Sequence, residues 1–163
     1  MSDLSSRVIA EARAWIGTPY RHQASLRGIG CDCLGLVRGV WRAVHGAEPE
    51  APPPYSRDWA EASGSETLRD AAARHMRAVP LADLAPGHLV LFAFAANLPA
   101  KHCAIVVTQA PLWTGSQQLR PMTMVHACDG HPVAEVAFVP WWRKRVRFVF
   151  SFERPCERPF DHP

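Results

Sequence analysis

The chain has 163 residues, 48% apolar and 20% charged, which is the size and balance of one globular domain with a single core and excludes disordered and fibrous classes. A formal charge of +3, with no long Lys/Arg block, gives no basis for a nucleic-acid partner. No stretch approaches the roughly 18 apolar residues that would span a bilayer, and Met1 to Ala14 carries Asp3 and Glu11 where a secretory signal needs an unbroken apolar run; the expectation is one domain over 1–163, made in the cytoplasm without a signal peptide and without a membrane partner.

Leu4, Val8, Ile9, Ala12, Trp15 and Ile16 follow helical spacing until Gly17-Thr18-Pro19 stops the pattern. Tyr20 to Gly30 is a polar loop leading into Cys31-Asp32-Cys33. From Cys33, the residues Leu36, Val37, Val40, Trp41 and Val44 again share one helical face, with Asp32 placed as N-cap and Gly46 as the stop. Glu48 to Ser56 holds Pro49, Pro52, Pro53 and Pro54, a composition confined to loops. Ser63-Gly64-Ser65-Glu66 matches a capping box, opening a third helix that buries Leu68, Ala72 and Met76.

The second half reads as strands. Pro86-Gly87 is a turn before Leu89 to Phe92, His102 to Val107 is a second apolar run, and Thr123–Ala127 and Val133–Val139 flank the hairpin dipeptide Asp129-Gly130. Val146 to Phe152 alternates with period two. Helices come first and strands follow, which argues for an α+β fold with an antiparallel sheet rather than an interleaved parallel one. Trp141-Trp142 is expected in the core, and Arg143-Lys144-Arg145 with Arg147 in a solvated turn.

Five cysteines is an odd count, and Cys31 and Cys33 stand too close for an unstrained bridge, so a disulfide framework is not expected. A cysteine in the first turn of a helix feels the positive end of the helix dipole and unpaired backbone N–H groups, which favour thiolate and can hold an oxyanion. Cys33 is therefore either a nucleophile or a small core thiol, and position alone leaves both open. Of eight histidines, His102 opens one predicted strand and His126 ends the next, so one could act as base while the other orients it; a structural role stays open for each. Cys31/Cys33, His102/Cys103 and His126/Cys128 lack the spacing of roughly two to four residues found in zinc knuckles, so neither a metal site nor a cofactor is expected, and Cys103 reads as a core thiol.

Gly17-Thr18-Pro19-Tyr20, then Cys31-Asp32-Cys33-Leu34-Gly35-Leu36-Val37, then Pro86 to Phe92, then His102-Cys103-Ala104-Ile105-Val106, then Met124-Val125-His126-Ala127 form an ordered set that resembles the NlpC/P60 family of papain-like cell-wall peptidases. With Gln23-Ala24-Ser25 and Arg38-Gly39-Val40-Trp41, it looks closest to the branch of phage tails and gene transfer agents. The resemblance implies N-terminal helices packed on a C-terminal antiparallel sheet. It implies Cys33 as nucleophile, His102 as base and His126 as third residue, with Tyr20 and Asp32 supporting the substrate or the oxyanion. It implies peptidoglycan stem peptides as substrate, cleaved between D-glutamate and the diamino acid, with phage-like tail or baseplate proteins as partners and a site of action in the periplasm. Leu34 stands where the family has a small serine, His88 where relatives often have aspartate, and Gln109 to Pro121 reads as a hairpin extension. Two alternatives keep the fold: a non-catalytic tail-hub component, and an acyltransferase that passes the same thioester to an acceptor other than water.

Overall fold

The computed structural model describes residues 2–56, 64–108 and 121–155. Helix α1 (Asp3–Ala14) begins at Ser2, whose side chain accepts from the Ser5 N–H at 3.1 Å, and buries Val8, Ile9 and Ala12. A two-stranded hairpin, β1 (Ser25–Leu26) and β2 (Gly30–Cys31), precedes α2 (Cys33–His45). Asp32 caps α2 through the Gly35 N–H at 2.7 Å, and Gly46, at φ +91°, closes it. The expected starts and stops of both helices stand.

Helix α3 (Thr67–His75) follows, with Leu68 and Met76 buried as expected and Ala72 only half-buried. The expected capping box is not what opens it: Ser63 lies outside the described residues, Glu66 takes the cap position, and its side chain makes no cap hydrogen bond. The Glu66 carboxylate instead accepts the Ala100 N–H at 3.1 Å, a tertiary partner that outcompetes the local one. The chain continues through β3 (Arg77–Val79), a 3₁₀ turn (Leu81–Asp83), β4 (His88–Phe92), β5 (His102–Thr108), β6 (Thr123–His126), β7 (Ala134–Ala137), a short helix α4 (Pro140–Arg143) and β8 (Val146–Ser151). Among the described residues these form an antiparallel sheet of six strands in the order β3-β8-β4-β5-β6-β7. The α+β class is as the sequence implies. The Asp129-Gly130 turn is present, with Gly130 at φ +80°, while residues 109–120 of the expected extension lie outside the described residues.

Alternation along the strands divides the sheet between two apolar clusters. Leu89, Leu91, Cys103, Ile105, Val107, Val125, Phe150 and Phe152 face α1 and α2 and meet Val8, Leu36, Val40 and Trp41 there. Val90, Phe92, Ala104, Val106, Met124 and Val149 face the other way and are covered by Met122 and Phe138, with Trp142 of α4 packed against them. Each fully buried Leu, Val or Phe contributes about 1.5–3 kcal/mol by leaving water, so burial on both sides holds β4 and β5 rigid. Glycine brings the helices close: a Cβ on Gly39 would sit 1.9 Å from the Trp15 ring, and one on Gly35 1.8 Å from the Ala24 carbonyl oxygen. No helix of the described residues is long and apolar enough to cross a membrane.

Candidate active site

The first residue of α2 and the first residue of β5 meet at one end of the sheet. Cys33 is half-buried, packed against the helix-side cluster, and its thiol interacts with the His102 imidazole and the Cys103 thiol. Those contacts hold the Cys33 thiol well below its ordinary value of 9.0, Cys103 contributing most; burial opposes them, and the charge of His102 adds to the lowering. Cys103 is pushed the other way by the neighbouring Cys33 thiol and by burial. A thiolate at Cys33 is thus favoured by the site as well as by the helix end.

His102 and His126 project from the same sheet face. Ile105 pairs with Val125 in register, which puts His126 across from Ala104 and diagonal to His102 on the neighbouring strand, within reach of long side chains. The gap closes to 3.0 Å between His102 Nε2 and His126 Nδ1. Both rings are buried, at 8% and 7% exposure. Burial, reinforced by the charge of His102, lowers the His126 pKa to about 4, so His126 is neutral near pH 7. In the His126 tautomer with its proton on Nε2, Nδ1 accepts from His102 Nε2–H and leaves His102 Nδ1 as the nitrogen available to Cys33.

Asp32 is 2% exposed and fully engaged. Oδ1 accepts from the Gly35 N–H at 2.7 Å; Oδ2 accepts from the Gln23 N–H at 2.7 Å and from the Tyr55 hydroxyl at 2.6 Å. Its carboxylate is turned toward protein donors and positions the turn before Cys33. The Leu36 N–H bonds the Asp32 carbonyl at 2.9 Å, which leaves the N–H groups of Cys33 and Leu34, without intrahelical acceptors, as the donors of the first turn that could meet an oxyanion. Tyr20 is half-buried and bridges Cys31 in parallel, with the Arg21 N–H on the Cys31 carbonyl and the Cys31 N–H on the Pro19 carbonyl, both at 3.0 Å. The five residues singled out in the sequence therefore lie about one helix end, the turn before it and the ends of two neighbouring strands.

Several neighbours were not among the site residues singled out in the sequence. Tyr55, in the proline-rich loop, is pushed above the usual phenol range by burial and by its bond to Asp32. His22 holds the same loop through the Tyr55 carbonyl at 2.8 Å. Trp142 stacks on His102, with ring centroids 5.5 Å apart at 28°, and meets His126 edge-on at 5.3 Å. Trp141 departs from the expected core placement: it is 48% exposed, with the Arg145 guanidinium 3.7 Å above its ring. His88 lies at the far end of β4 and accepts the Ala85 N–H at 3.1 Å, serving the Pro86-Gly87 turn. A cavity of about 200 Å³ beside Cys33 is lined by Leu34, Val37, Leu68, Leu91 and Cys103 among others. Among the described residues no cluster of three His, Cys, Asp or Glu side chains is arranged to hold a metal ion.

No protein-family model and no curated protein matches this chain. Several solved structures are similar to it, these three among them. The NlpC/p60 domain of the peptidoglycan hydrolase SagA aligns with TM-score 0.59 at 20% identity, over 90% of this chain and 97% of that one. An NLP/P60-family protein, described as similar to lipoprotein, from Staphylococcus aureus aligns with TM-score 0.57 at 15% identity, over 95% of this chain and 43% of its own. An NlpC/P60 family protein from Bacillus cereus aligns with TM-score 0.61 at 18% identity, over 91% and 40%. The chain spans nearly all of the first and less than half of the other two, and its fold is that of NlpC/P60 domains.

Proposed function

We propose that this chain is a cysteine peptidase that hydrolyses amide bonds in peptidoglycan stem peptides. The observation that carries the reading is the line of Cys33, His102 and His126, in which a thiol at a helix start meets an imidazole whose other nitrogen lies 3.0 Å from a neutral histidine. His102 takes the Cys33 proton, and the thiolate attacks the amide carbonyl while the Cys33 and Leu34 N–H groups hold the oxyanion; His102 then protonates the leaving amine and water resolves the thioester. His126 keeps the His102 proton on Nε2, and Asp32 positions the turn that presents Cys33.

The substrate class rests on the sequence resemblance and on a fold shared with a domain of a peptidoglycan hydrolase. The same resemblance extends the proposal to the bond between D-glutamate and the diamino acid, and to delivery by a phage-like tail acting in the periplasm. The test is incubation of the purified chain with peptidoglycan fragments beside a Cys33→Ala variant. Release of new amino termini should fall by about 10³–10⁶-fold in the variant. Equal activity, or release that needs added zinc, overturns the thiol mechanism; conjugates formed with an added amine, in place of free acid, assign acyl transfer instead.

A further inference from the structure

The alternation that turns His102 toward His126 turns Cys103 to the opposite face, against α2. There Cys103 is 1% exposed and shares with Cys33 the wall of the 200 Å³ cavity, near enough that each thiol shifts the other's proton affinity. Both thiols are free. The peptidase mechanism uses Cys33 and gives Cys103 nothing to do.

We propose that Cys33 and Cys103 form a reversible disulfide under peroxide-class oxidants, with Cys103 as the resolving thiol that protects the nucleophile from irreversible oxidation. The Cys33 thiolate attacks one peroxide oxygen, so an S–O bond forms as the O–O bond breaks and the departing hydroxide takes a proton to become water. Cys103 attacks the resulting sulfenic sulfur; the S–S bond forms, the S–O bond breaks, and the leaving hydroxide takes the Cys103 proton to become a second water. Two thiols and one peroxide yield one disulfide and two waters.

Three features of the fold select this pair. Cys33 is half-buried while Cys103 is sealed, so a small oxidant reaches the first and a bulky external thiol cannot reach the second. The two sit on packed elements, α2 and β5, and line one cavity, which gives the resolving step the advantage of proximity. Cys31, two residues from Cys33, is fully buried, and a bridge across one intervening residue is strained.

The test treats the full chain with hydrogen peroxide, blocks remaining thiols in denaturant, and maps non-reduced peptides by mass spectrometry. The expected result is loss of two free thiols, a peptide joining Cys33 to Cys103, and full recovery of both thiols with dithiothreitol. In Cys103→Ala, Cys33 should pass to sulfinic and sulfonic acid and stay unlabelled after reduction. A triple variant, Cys31→Ala/Cys128→Ala/Cys156→Ala, should still form the bridge, and it decides the matter alone if Cys103→Ala fails to fold by circular dichroism. A bridge from Cys33 to Cys31 or Cys128, or over-oxidation of Cys33 at the same rate in the parent and in Cys103→Ala, overturns the proposal. The readout is thiol chemistry, so its outcome stands apart from any result on peptide cleavage.

Discussion

In the proposed mechanism the two ring nitrogens of His102 do different work, and His126 decides which does which. There a neutral His126 with its own proton on Nε2 accepts at Nδ1 and holds the His102 proton on Nε2. Replacing His126 with alanine removes that acceptor and should lower kcat/KM on peptidoglycan fragments by about 10–10²-fold, the scale of one hydrogen bond to a group that becomes charged during catalysis. Asparagine, whose carbonyl can accept the same N–H, should recover most of the loss; equal losses in both variants would mean that His126 only fills space. The thiol gives an independent readout. The rate of iodoacetamide labelling at Cys33 against pH should turn well below the ordinary thiol value of 9.0, while Cys31, pushed up to about 12 by burial and by Asp32, stays unlabelled through the same range. His102→Ala should move the Cys33 inflection upward, because both the imidazole contact and its charge favour thiolate. An unmoved inflection would remove His102 from the thiol's activation.

At the level of elements, the turn before α2 explains why Cys33 could be read as a candidate from sequence and its surroundings could not. The cap at Asp32, the apolar stripe from Leu36 to Val44 and the stop at Gly46 are local, so the pattern carries them. Gly35 is different: its role is to let the Ala24 carbonyl approach, since a Cβ there would stand 1.8 Å from that oxygen. Gly35→Ala should cost about 3 kcal/mol, because backbone must move. Gly39→Ala meets the Trp15 ring at 1.9 Å, a side chain that can shift, and should cost less in the same denaturant titration. The opposite order would mean that the β1–β2 hairpin yields more readily than the interface of α1 and α2. Tyr55 was invisible for a related reason. Nothing in a run of prolines marks one tyrosine as the residue that reaches back to Asp32 at 2.6 Å, because that contact depends on where the loop lies, not on its composition. The capping box at α3 failed from the same ignorance of tertiary partners, Glu66 being drawn to Ala100.

For the molecule as a whole, period-two alternation and two helical stripes were enough to place helices against an antiparallel sheet. They could not show β3 (Arg77–Val79), three residues long and paired with the last strand, nor that the outer sheet face is closed by α4 and Trp142. That closure has a consequence for acid stability. Burial lowers His126 to about 4 from an unfolded value of 6.5, so between those two pH values the unfolded chain binds a proton that the folded chain refuses. Stability must therefore fall as pH drops from 6.5 toward 4, by at most about 3 kcal/mol from this group. His88, lowered by burial and by Arg77, acts in the same direction. Below that window the carboxylates take over. Glu135 is held below its usual 4.5 by Arg13, which ties α1 to β7, and Glu50 by Arg74. Burial raises Glu48, but bonds from Arg38 and Arg42 outweigh it and leave it lowered too. Each of these groups stabilises the fold while ionised and loses that contribution as pH falls through its folded pKa. The urea midpoint should thus decline in two stages, first from pH 6.5 to about 4 and then more steeply below. His126→Asn should flatten the first stage and leave the second. A first stage of unchanged slope in that variant would place the acid sensitivity elsewhere in the molecule, and the pairing of a buried neutral His126 with His102 would no longer account for it.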